Sequence, residues 1–277
     1  MMSPTLPLKV VQISDNHLFA NPDEKLMGLT TAESLAAVLN SIRQLKINPD
    51  VFLITGDLSQ DETAESYEYL RGLMTPFNIP TYWIPGNHDD VSLAESVLCQ
   101  TPISAEKDLI MVNWKLILLN SQCHRKVYGE LTSESLNHLE YQLKQHPEQP
   151  TLIALHHPPL DIGSRWMDEI RLRNAEDFFA VIDRYSQVKI VMFGHIHQQF
   201  ETTRNGVVYL GCPSTCVQFK PQEAELTLDE VATPGFRILT LFPNGDYQTE
   251  IQRTNYQLPT YPDPEVLRAM LAKSVAM

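Results

Sequence analysis

The chain is poor in cysteine and has no dense run of basic residues, and these two absences exclude several function classes. Its 277 residues include four cysteines, none of them in a Cys-x-x-Cys pair. We therefore expect inert thiols, with neither a disulfide framework nor a thiolate zinc site. Acidic residues outnumber basic ones by 34 to 21, which gives a formal net charge of −13. Because binding to long nucleic acid relies on a basic surface, we expect no nucleic-acid partner.

Long apolar stretches are absent as well. No run in the sequence approaches the roughly 18 residues that a membrane-spanning helix needs. The N-terminal segment lacks a cationic region followed by an apolar stretch, so we predict no signal peptide. We therefore expect a soluble, cytoplasmic protein without membrane contact. Hydrophobic residues make up 43% of the chain and charged residues 20%, which is typical of a globular protein with a sizeable core.

Short apolar runs alternate with helical patterns along most of the chain. Apolar residues at helical spacing predict one helix through residues 35–45, with Thr30 and Glu33 as a capping box, and another through residues 136–143. This alternation predicts an α/β fold with a buried sheet. Runs rich in Val, Ile and Leu predict the strands at 10–13, 51–54, 81–84, 116–119, 152–155, 190–193 and 207–210.

The pattern changes toward the C-terminus. Residues 236–242 and 247–252 flank an Asn244-Gly245 pair, which predicts a hairpin and so a mixed sheet. Residues 220–234 are polar and rich in glutamate, and we interpret them as a surface loop. No internal repeat or domain boundary is visible. We predict a single domain over residues 1–277, with a motif core at 8–215 and a C-terminal hairpin and tail at 235–277.

Polar side chains follow five of the predicted strands. In open α/β sheets ligands bind beyond the carboxyl ends of the strands, so we expect these side chains to converge in one crevice. Their oxygen and imidazole donors suit Mn, Fe or Zn. Each segment alone is a weak signal, whereas five in order are a strong one. The segments are Asp15-Asn16-His17, Gly56-Asp57, Gly86-Asn87-His88-Asp89, His156-His157 and Gly194-His195-Ile196-His197.

Two details of these segments bear on the geometry. The glycines before Asp57, Asn87 and His195 would permit sharp turns and close approach of the backbone. His195 and His197 are two residues apart, so on extended backbone they would point the same way. Alternatively, a turn would direct these two histidines at different metal ions.

The ordered set resembles the signature of the calcineurin-like metallophosphoesterases. The His156-His157-Pro158-Pro159 segment and residues 163–168 and 234–237 further resemble one branch, the class III cyclic-nucleotide phosphodiesterases of the bacterial cAMP type. The resemblance implies a four-layer fold, in which two mixed β-sheets lie face to face with helices outside. It also implies two bound metal ions, with iron and manganese favoured and zinc as an alternative.

The resemblance also assigns roles to matching residues. The first metal ion would be bound by Asp15, His17 and His197. The second metal ion would be bound by Asn87, His156 and His195. Asp57 would bridge the two ions, and with His88 it would form the catalytic pair. The substrate would be bound by His17, Asp57, Asn87, His88 and His197.

These roles predict hydrolysis of a 3′,5′-cyclic nucleotide, with cAMP favoured, to the nucleoside 5′-monophosphate. A hydroxide held by the two metal ions would attack phosphorus, and His88 would donate a proton to the leaving oxygen. One alternative is another metal-dependent phosphodiesterase or phosphomonoesterase on the same core. A non-catalytic scaffold is disfavoured, because it predicts missing ligands and none is missing. The expected partner is a small cyclic nucleotide; oligomeric state is left open, with a homodimer as one alternative.

Four neighbouring residues keep more than one interpretation. Asp89 orients His88 in one of the alternatives. His157 is interpreted as a packed side chain rather than a ligand. Trp166 and Met167 either line a surface for the nucleotide base or pack in the core.

Overall fold

The computed structural model describes residues 6–261 and Val266. The remainder of the predicted C-terminal tail, and residues 1–5, lie outside the described residues. The strands are β1 Leu8–Ile13, β2 Lys25–Leu26, β3 Leu29–Thr30, β4 Val51–Thr55, β5 Thr81–Ile84, β6 Ile103–Ser104, β7 Asp108–Met111, β8 Trp114–Leu118, β9 Thr151–Ala154, β10 Val188–Phe193, β11 Phe200–Arg204, β12 Val207–Gly211, β13 Gly235–Leu241 and β14 Tyr247–Arg253. The helices are α1 Thr31–Gln44, α2 Ala64–Met74, α3 Val91–Leu98, α4 Ser133–Gln145, α5 Arg165–Asp168 and α6 Ala175–Ile182, with a 3₁₀ turn at Thr75–Phe77.

Two six-stranded sheets form the centre of the molecule. The first has the order β14-β13-β1-β4-β5-β6, and the second has the order β11-β12-β10-β9-β8-β7. In the first sheet β1, β4, β5 and β6 run parallel, whereas β13 is antiparallel to both β1 and β14. In the second sheet β8, β9, β10 and β12 run parallel, with antiparallel strands at both edges. Both sheets are therefore mixed, and the predicted hairpin between β13 and β14 is confirmed.

Alternation along the strands builds the layers, because successive side chains of a strand point to opposite faces. On β4, Val51 and Leu53 belong to the core between the sheets, whereas Phe52 and Ile54 pack against α1, α2 and α3. On β9, Ile153 faces the opposite way, toward the core formed with α4 and α6. The order helix, sheet, sheet, helix confirms the predicted four-layer arrangement.

Arg237 on β13 ties the two sheets together. Its side chain is 2% exposed, and its guanidinium donates to the carbonyls of Phe200 and Gly211 in the second sheet, at 3.2 and 2.8 Å. It also donates to Thr249 Oγ1 on β14, at 2.7 Å. Since a buried cation needs hydrogen-bond partners, these carbonyls stabilise its position between the sheets.

The predicted elements are found, and two details are wrong. All seven predicted strands coincide with β1, β4, β5, β8, β9, β10 and β12, and those at β8 and β9 are predicted one residue too long at their C-terminal ends. Thr30 is the N-cap of α1, but its side chain makes no capping hydrogen bond, so the capping-box prediction fails. The segment 220–234 is irregular, yet Leu228 is buried and bridges to Phe219, so it is more than a surface loop. No helix among residues 6–261 is long and apolar enough to cross a membrane.

Candidate metal centre

The loops that follow β1, β4, β5, β9 and β10 meet at one edge of the sandwich. Each of these strands runs parallel to its neighbour in this group, so their carboxyl ends point the same way. Hydrogen bonds join the loops of the two sheets. Across the sheets, the backbone N–H of His195 donates to Asp15 Oδ1 at 2.9 Å. Within the second sheet, the backbone N–H of Gly194 donates to the His156 carbonyl at 3.1 Å. The five predicted segments therefore lie in one crevice.

One group of ligand atoms comes from Asp15, His17, Asp57 and His197. These atoms all lie within 4.8 Å of one another, and all four residues are buried. The Nε2 atom of His17 lies 3.5 Å from Asp57 Oδ2 and 3.1 Å from His197 Nε2. The Nε2 atom of His197 lies 3.6 Å from Asp15 Oδ1. A group of this composition could hold a metal ion.

A second group surrounds His156 and His195, whose ring centroids are 5.0 Å apart. His156 Nε2 lies 3.3 Å from Asp57 Oδ2, so Asp57 borders both groups. Asn87 Oδ1 is buried without a hydrogen-bond partner among the described residues, and so is His195 Nε2. Such unpaired polar atoms are expected where a cation normally binds. The two histidines of the Gly-His-x-His segment thus belong to different groups, as in the second of the two alternatives.

His157 also belongs to the second group, although we interpreted it as a packed side chain. Its ring centroid lies 4.7 Å from that of His195, and its ligand atom lies within 4.8 Å of those of His156 and His195. Its Nδ1 is 2.9 Å from Ser121 Oγ. The ring is fully buried, so His157 is a packed side chain that also supports the neighbouring imidazoles.

Three imidazole rings are oriented by acceptors on their far side. The Nδ1 atom of His17 lies 2.7 Å from Gln60 Oε1, that of His156 lies 2.7 Å from the Thr55 carbonyl, and that of His197 lies 2.8 Å from the Val217 carbonyl. Each Nδ1–H donates there, so Nε2 is directed into the cluster and offers a lone pair wherever the ring is neutral. Two lone pairs then face each other 3.1 Å apart between His17 and His197. A cation would relieve this contact, so the residues fit a metal centre.

Burial keeps most of these rings neutral. Desolvation lowers the pKa of His17 and His195 well below its usual range, and it lowers the pKa of His197 to about 3. Repulsion from a second protonated ring would add to this effect, from His197 at His17 and from His157 at His195, whereas the Asp57 carboxylate opposes it at both. Metal ligation requires the neutral imidazole, so the folded chain presents these rings in the competent form.

The two carboxylates and His156 behave differently. Burial raises the pKa of Asp15 to about 7, with a further contribution from Asp57. Burial also acts to raise the pKa of Asp57, but the nearby His156 and His88 hold it well below the usual range. Burial disfavours charge on His156, yet Asp57 raises its pKa to about 9. Without a cation, then, Asp57 relies on His156 for its positive partner.

The backbone of the centre is strained. Asp15, His17, Asp57, His195 and His197 have φ values of 55°, 47°, 51°, 69° and 47°, in the left-handed region that L-residues rarely adopt. Such conformations cost about 1–3 kcal/mol each and are concentrated at functional sites. Glycine would remove this conformational cost, but it would also remove the carboxylate and imidazole groups. The strained backbone is therefore consistent with a functional need for these side chains at these positions.

Two glycines confirm the expected close approaches. Gly56 has φ +97°, and a Cβ there would clash with the His156 ring. A Cβ on Gly86 would clash with Asp57 Oδ1. Glycine at these positions therefore lets the Asp57 and Asn87 loops pack directly against the cluster.

Asp89 braces these loops and does not orient His88. Its carboxylate accepts hydrogen bonds from the backbone N–H groups of Leu58, Ser59 and Gly86 at 2.9–3.2 Å. The Tyr67 hydroxyl donates to it at 3.2 Å. Within residues 6–261 no hydrogen bond joins Asp89 to the His88 ring. The alternative that Asp89 orients His88 is therefore wrong.

His88 lies at the cavity side of the cluster. Its backbone N–H donates to Asp57 Oδ1 at 3.0 Å, and its half-buried ring packs edge to face against His17 with centroids 5.0 Å apart. Its Nδ1 lies 3.2 Å from Gln60 Nε2. The sequence analysis missed Gln60, since a glutamine three residues after Asp57 matches no motif that we considered.

A cavity of about 370 Å³ opens above the cluster. One side is the polar floor, the seven predicted ligand residues together with His88. Those of the floor that line the cavity are His17, Asp57, Asn87, His88, His195 and His197. The other side, the apolar wall, comprises Leu26, Met27, Val127, Trp166, Met167, Ile170, Phe219 and Leu226.

The apolar wall joins the floor through aromatic contacts. Phe219 stacks on His197 with centroids 4.4 Å apart and an interplanar angle of 21°. Trp166 meets Phe219 edge to face at 5.0 Å. Trp166 is half-buried, whereas Met167 is 1% exposed and also belongs to the helix-side core. Trp166 and Met167 therefore both line the cavity, as in the first interpretation. Met167 also packs in the core, as in the second.

One thiol lies closer to the centre than expected. The Cys216 Sγ atom forms a possible ligand group with His17 and His197, although we expected all four cysteines to be inert. Burial raises the pKa of this thiol to about 12, so it stays protonated at neutral pH. All four cysteines are free of disulfides, as expected.

Comparison with known proteins identifies the family. The profile described as calcineurin-like phosphoesterase matches residues 8–199. The 3′,5′-cyclic-nucleotide phosphodiesterase of Nostoc sp. is 46% identical over 261 residues, which cover 94% of this chain and 98% of that protein. The 3′,5′-cyclic adenosine monophosphate phosphodiesterase of Escherichia coli K12 is 41% identical over 256 residues, covering 90% and 93%.

The solved structures agree on the fold. A dimetal phosphatase from Danio rerio superposes with a TM-score of 0.63 at 13% identity, over 87% of this chain and 98% of that one. A purple acid phosphatase from yellow lupin also gives a TM-score of 0.63, at 15% identity, over 90% of this chain and 52% of that one. With the profile match and the relatives above, the resemblance found in the sequence is confirmed, and the chain belongs to the calcineurin-like phosphoesterase family.

Proposed function

We propose that the chain hydrolyses 3′,5′-cyclic nucleotides, with cAMP favoured, to nucleoside 5′-monophosphates. The observation that carries the proposal is the position of Asp57, whose carboxylate borders two groups of buried imidazoles beneath a small-ligand cavity. The names of the Nostoc and Escherichia coli relatives supply the substrate class. A cavity of about 370 Å³ lies within the usual range for small-molecule sites.

We assign the metal ligands to the two groups around Asp57. Asp15, His17 and His197 would hold one ion, Asn87, His156 and His195 the other, and Asp57 both. Carboxylate, amide and imidazole donors accept iron, manganese and zinc. The family resemblance favours iron or manganese, with zinc as the alternative. Two cations bound there would lower the pKa of a bound water toward about 7 and offset charge on the phosphoryl oxygens.

The remaining work is done by residues that line the cavity. His17, Asp57, Asn87, His88 and His197 form the surface that the phosphate would meet. Water adds its oxygen to phosphorus and releases a proton, the bond from phosphorus to O3′ breaks, and O3′ takes a proton from a donor that the released proton then restores. His88 is the proposed donor, because it lines the cavity beside Asp57 and is not among the ligands. The apolar wall would cover the base and exclude water.

The substrate also bears on location and partners. Cyclic nucleotides are intracellular signals, so we propose that the protein acts in the cytoplasm on a small-molecule substrate.

The experiment measures hydrolysis of cAMP by the metal-loaded protein, with bis(4-nitrophenyl) phosphate beside it. Chromatography identifies the product, and 5′-AMP is expected. His197→Ala and Asp57→Asn should abolish turnover of both substrates, whereas His124→Ala, at an exposed histidine, should retain it. Turnover of the aryl ester without cAMP would contradict the substrate and support another phosphodiesterase on the same centre. A folded, metal-loaded protein that hydrolyses neither would support the scaffold.

A further inference from the structure

Gln60 joins the first metal group to His88. Its Oε1 lies 2.7 Å from His17 Nδ1, and its Nε2 lies 3.2 Å from His88 Nδ1. The residue is half-buried and lines the cavity. Its own backbone N–H donates to the Leu18 carbonyl at 2.7 Å, which fixes the loop from which the side chain projects. One amide thus contacts a candidate ligand and the candidate proton donor.

The amide has one accepting end and one donating end, and this decides the state of both rings. When His17 directs its Nε2 lone pair at a cation, its Nδ1 carries hydrogen and requires an acceptor. Gln60 must then turn Oε1 toward His17, and its N–H₂ group faces His88. The His88 Nδ1 therefore accepts, and the hydrogen of the neutral ring lies on Nε2, the nitrogen left free for a ligand.

We propose that Gln60 is a positioning residue that holds the His88 ring and keeps its hydrogen on Nε2, ready for the leaving oxygen. The proposal rests on the function proposed above. Among residues 6–261, the Gln60 amide is the side chain hydrogen-bonded to the His88 ring. A carboxylate at position 60 would accept from both rings, so it would serve His17 but require a hydrogen on His88 Nδ1.

The kinetic test uses methyl aryl phosphodiesters whose leaving groups range from dinitrophenol to unsubstituted phenol. A poor leaving group needs a hydrogen donor, whereas a nitrophenolate leaves without one. Gln60→Ala should lower kcat about tenfold or more for the phenyl ester and less than about threefold for the dinitrophenyl ester. His88→Ala should likewise lower kcat more for the phenyl ester than for the dinitrophenyl ester. The Gln60→Ala/His88→Ala double variant should be no slower than His88→Ala, because the two act as one unit.

Gln122→Ala is the matched control. This glutamine donates to the carbonyls of Gly86 and Asp89 and braces the same loops without touching the His88 ring. It should leave the leaving-group dependence unchanged. A loss in Gln60→Ala that is equal across the ester series, together with loss of bound metal, would overturn the proposal and leave Gln60 as a support for His17. Additive losses in the double variant would overturn it as well.

A second readout tests the tautomer directly. In the zinc-loaded protein, ¹⁵N spectra of the His88 ring should report an Nδ1 without hydrogen in the wild type and an Nδ1–H in Gln60→Glu. The same tautomer in both proteins would contradict the proposal. Neither readout uses a cyclic nucleotide. If the protein hydrolyses aryl diesters but not cAMP, the proposed substrate is wrong, and the role of Gln60 can still be tested.

Discussion

The polar floor and the apolar wall line the same cavity but are built differently. The floor residues follow regular parallel strands, and backbone hydrogen bonds tie their loops together across the two sheets. The wall comes from the two-residue strand β2 and the turn after it, the four-residue helix α5, and irregular chain around Val127, Phe219 and Leu226. The comparison teaches that the sandwich fixes the reacting atoms, while shorter segments set the fit to the substrate.

The difference extends to energy. The floor holds buried carboxylates, neutral imidazoles and left-handed backbone, all of which cost stability in the absence of a cation. The wall buries apolar area, which stabilises the fold by about 25 cal/mol per Å². Because the two sides meet at the stack of Phe219 on His197, changes on one side should reach the other mainly through this contact.

The largest expected effect comes from breaking the floor at Asp57. In Asp57→Asn the shared carboxylate loses its charge, so both groups lose a ligand, and metal binding provides several kcal/mol of transition-state stabilisation. We expect kcat to fall about 10³-fold or more for every diester. Metal content measured by mass spectrometry should fall with it.

The control for this change is Asp161→Asn, on a carboxylate that pairs with Arg171 at the surface. It should retain both activity and metal. Full metal content with full activity in Asp57→Asn would contradict the position of Asp57 between two ions.

A change in the apolar wall at Trp166 should affect KM and leave kcat nearly unchanged, in contrast to a change in the floor. Trp166→Ala removes an aromatic face from the cavity, and stacking of a base on an aromatic side chain is worth about 1–3 kcal/mol. We expect KM for cAMP to rise about tenfold with kcat nearly unchanged. Methyl 4-nitrophenyl phosphate, which lacks a base, should be hydrolysed as before.

Trp166→Phe is the matched variant, since it keeps a ring in the same place. Its KM should stay within about threefold of the wild type. If Trp166→Ala instead lowers kcat for both substrates equally, the wall supports the floor and does not hold the base.

The same division explains what the sequence predicts. The seven candidate ligands directly follow strands whose apolar runs are unmistakable, and parallel strands must end at one edge. The convergence of these side chains in one crevice could thus be inferred before any coordinates, whereas their roles as ligands were implied by the family resemblance. The four-layer order came from family resemblance, because periodicity identifies strands but does not distinguish a single sheet from two.

The wall and the supporting contacts escape this reasoning for physical reasons. Leu26, Ile170 and Leu226 lie in segments too short to show a hydrophobic period, so their burial depends on tertiary packing alone. Asp89 illustrates the limit within a motif. Its neighbour His88 suggested a catalytic pairing, but its carboxylate turns toward three backbone N–H groups that no sequence pattern displays.

A smaller effect is a loss of stability of the metal-free protein between pH 7 and pH 9, caused by a residue of the floor. Asp57 raises the folded-state pKa of His156 to about 9, well above the ordinary value of a histidine. The folded protein therefore holds this proton where the unfolded chain releases it, and the stabilisation is lost as pH rises through about 9. The melting temperature of the apo-protein should fall over this range.

Lys107 acts in the opposite sense, because burial lowers its pKa to about 8. The comparison of wild type with Asp57→Asn cancels its contribution, since Lys107 is present in both. Without the Asp57 charge, the His156-dependent fall in melting temperature should disappear. Calorimetry measures the melting temperature of both proteins over this pH range. An equal fall in the two would assign the effect to groups other than His156.

The smallest expected effect is the preference between bases. The wall presents aliphatic, thioether and aromatic surface, and the one polar group among its side chains is the Trp166 indole N–H. A site that hydrogen-bonds a base edge rejects the wrong base by about 10⁴-fold or more, whereas apolar contact discriminates by about 10–200-fold at most. Adenine and guanine have nearly the same apolar faces, so kcat/KM for cAMP should exceed that for cGMP by less than about tenfold. A ratio near 10³ would mean that a polar group reads the base edge, and the wall would then select its substrate by hydrogen bonding as the floor is proposed to do by charge.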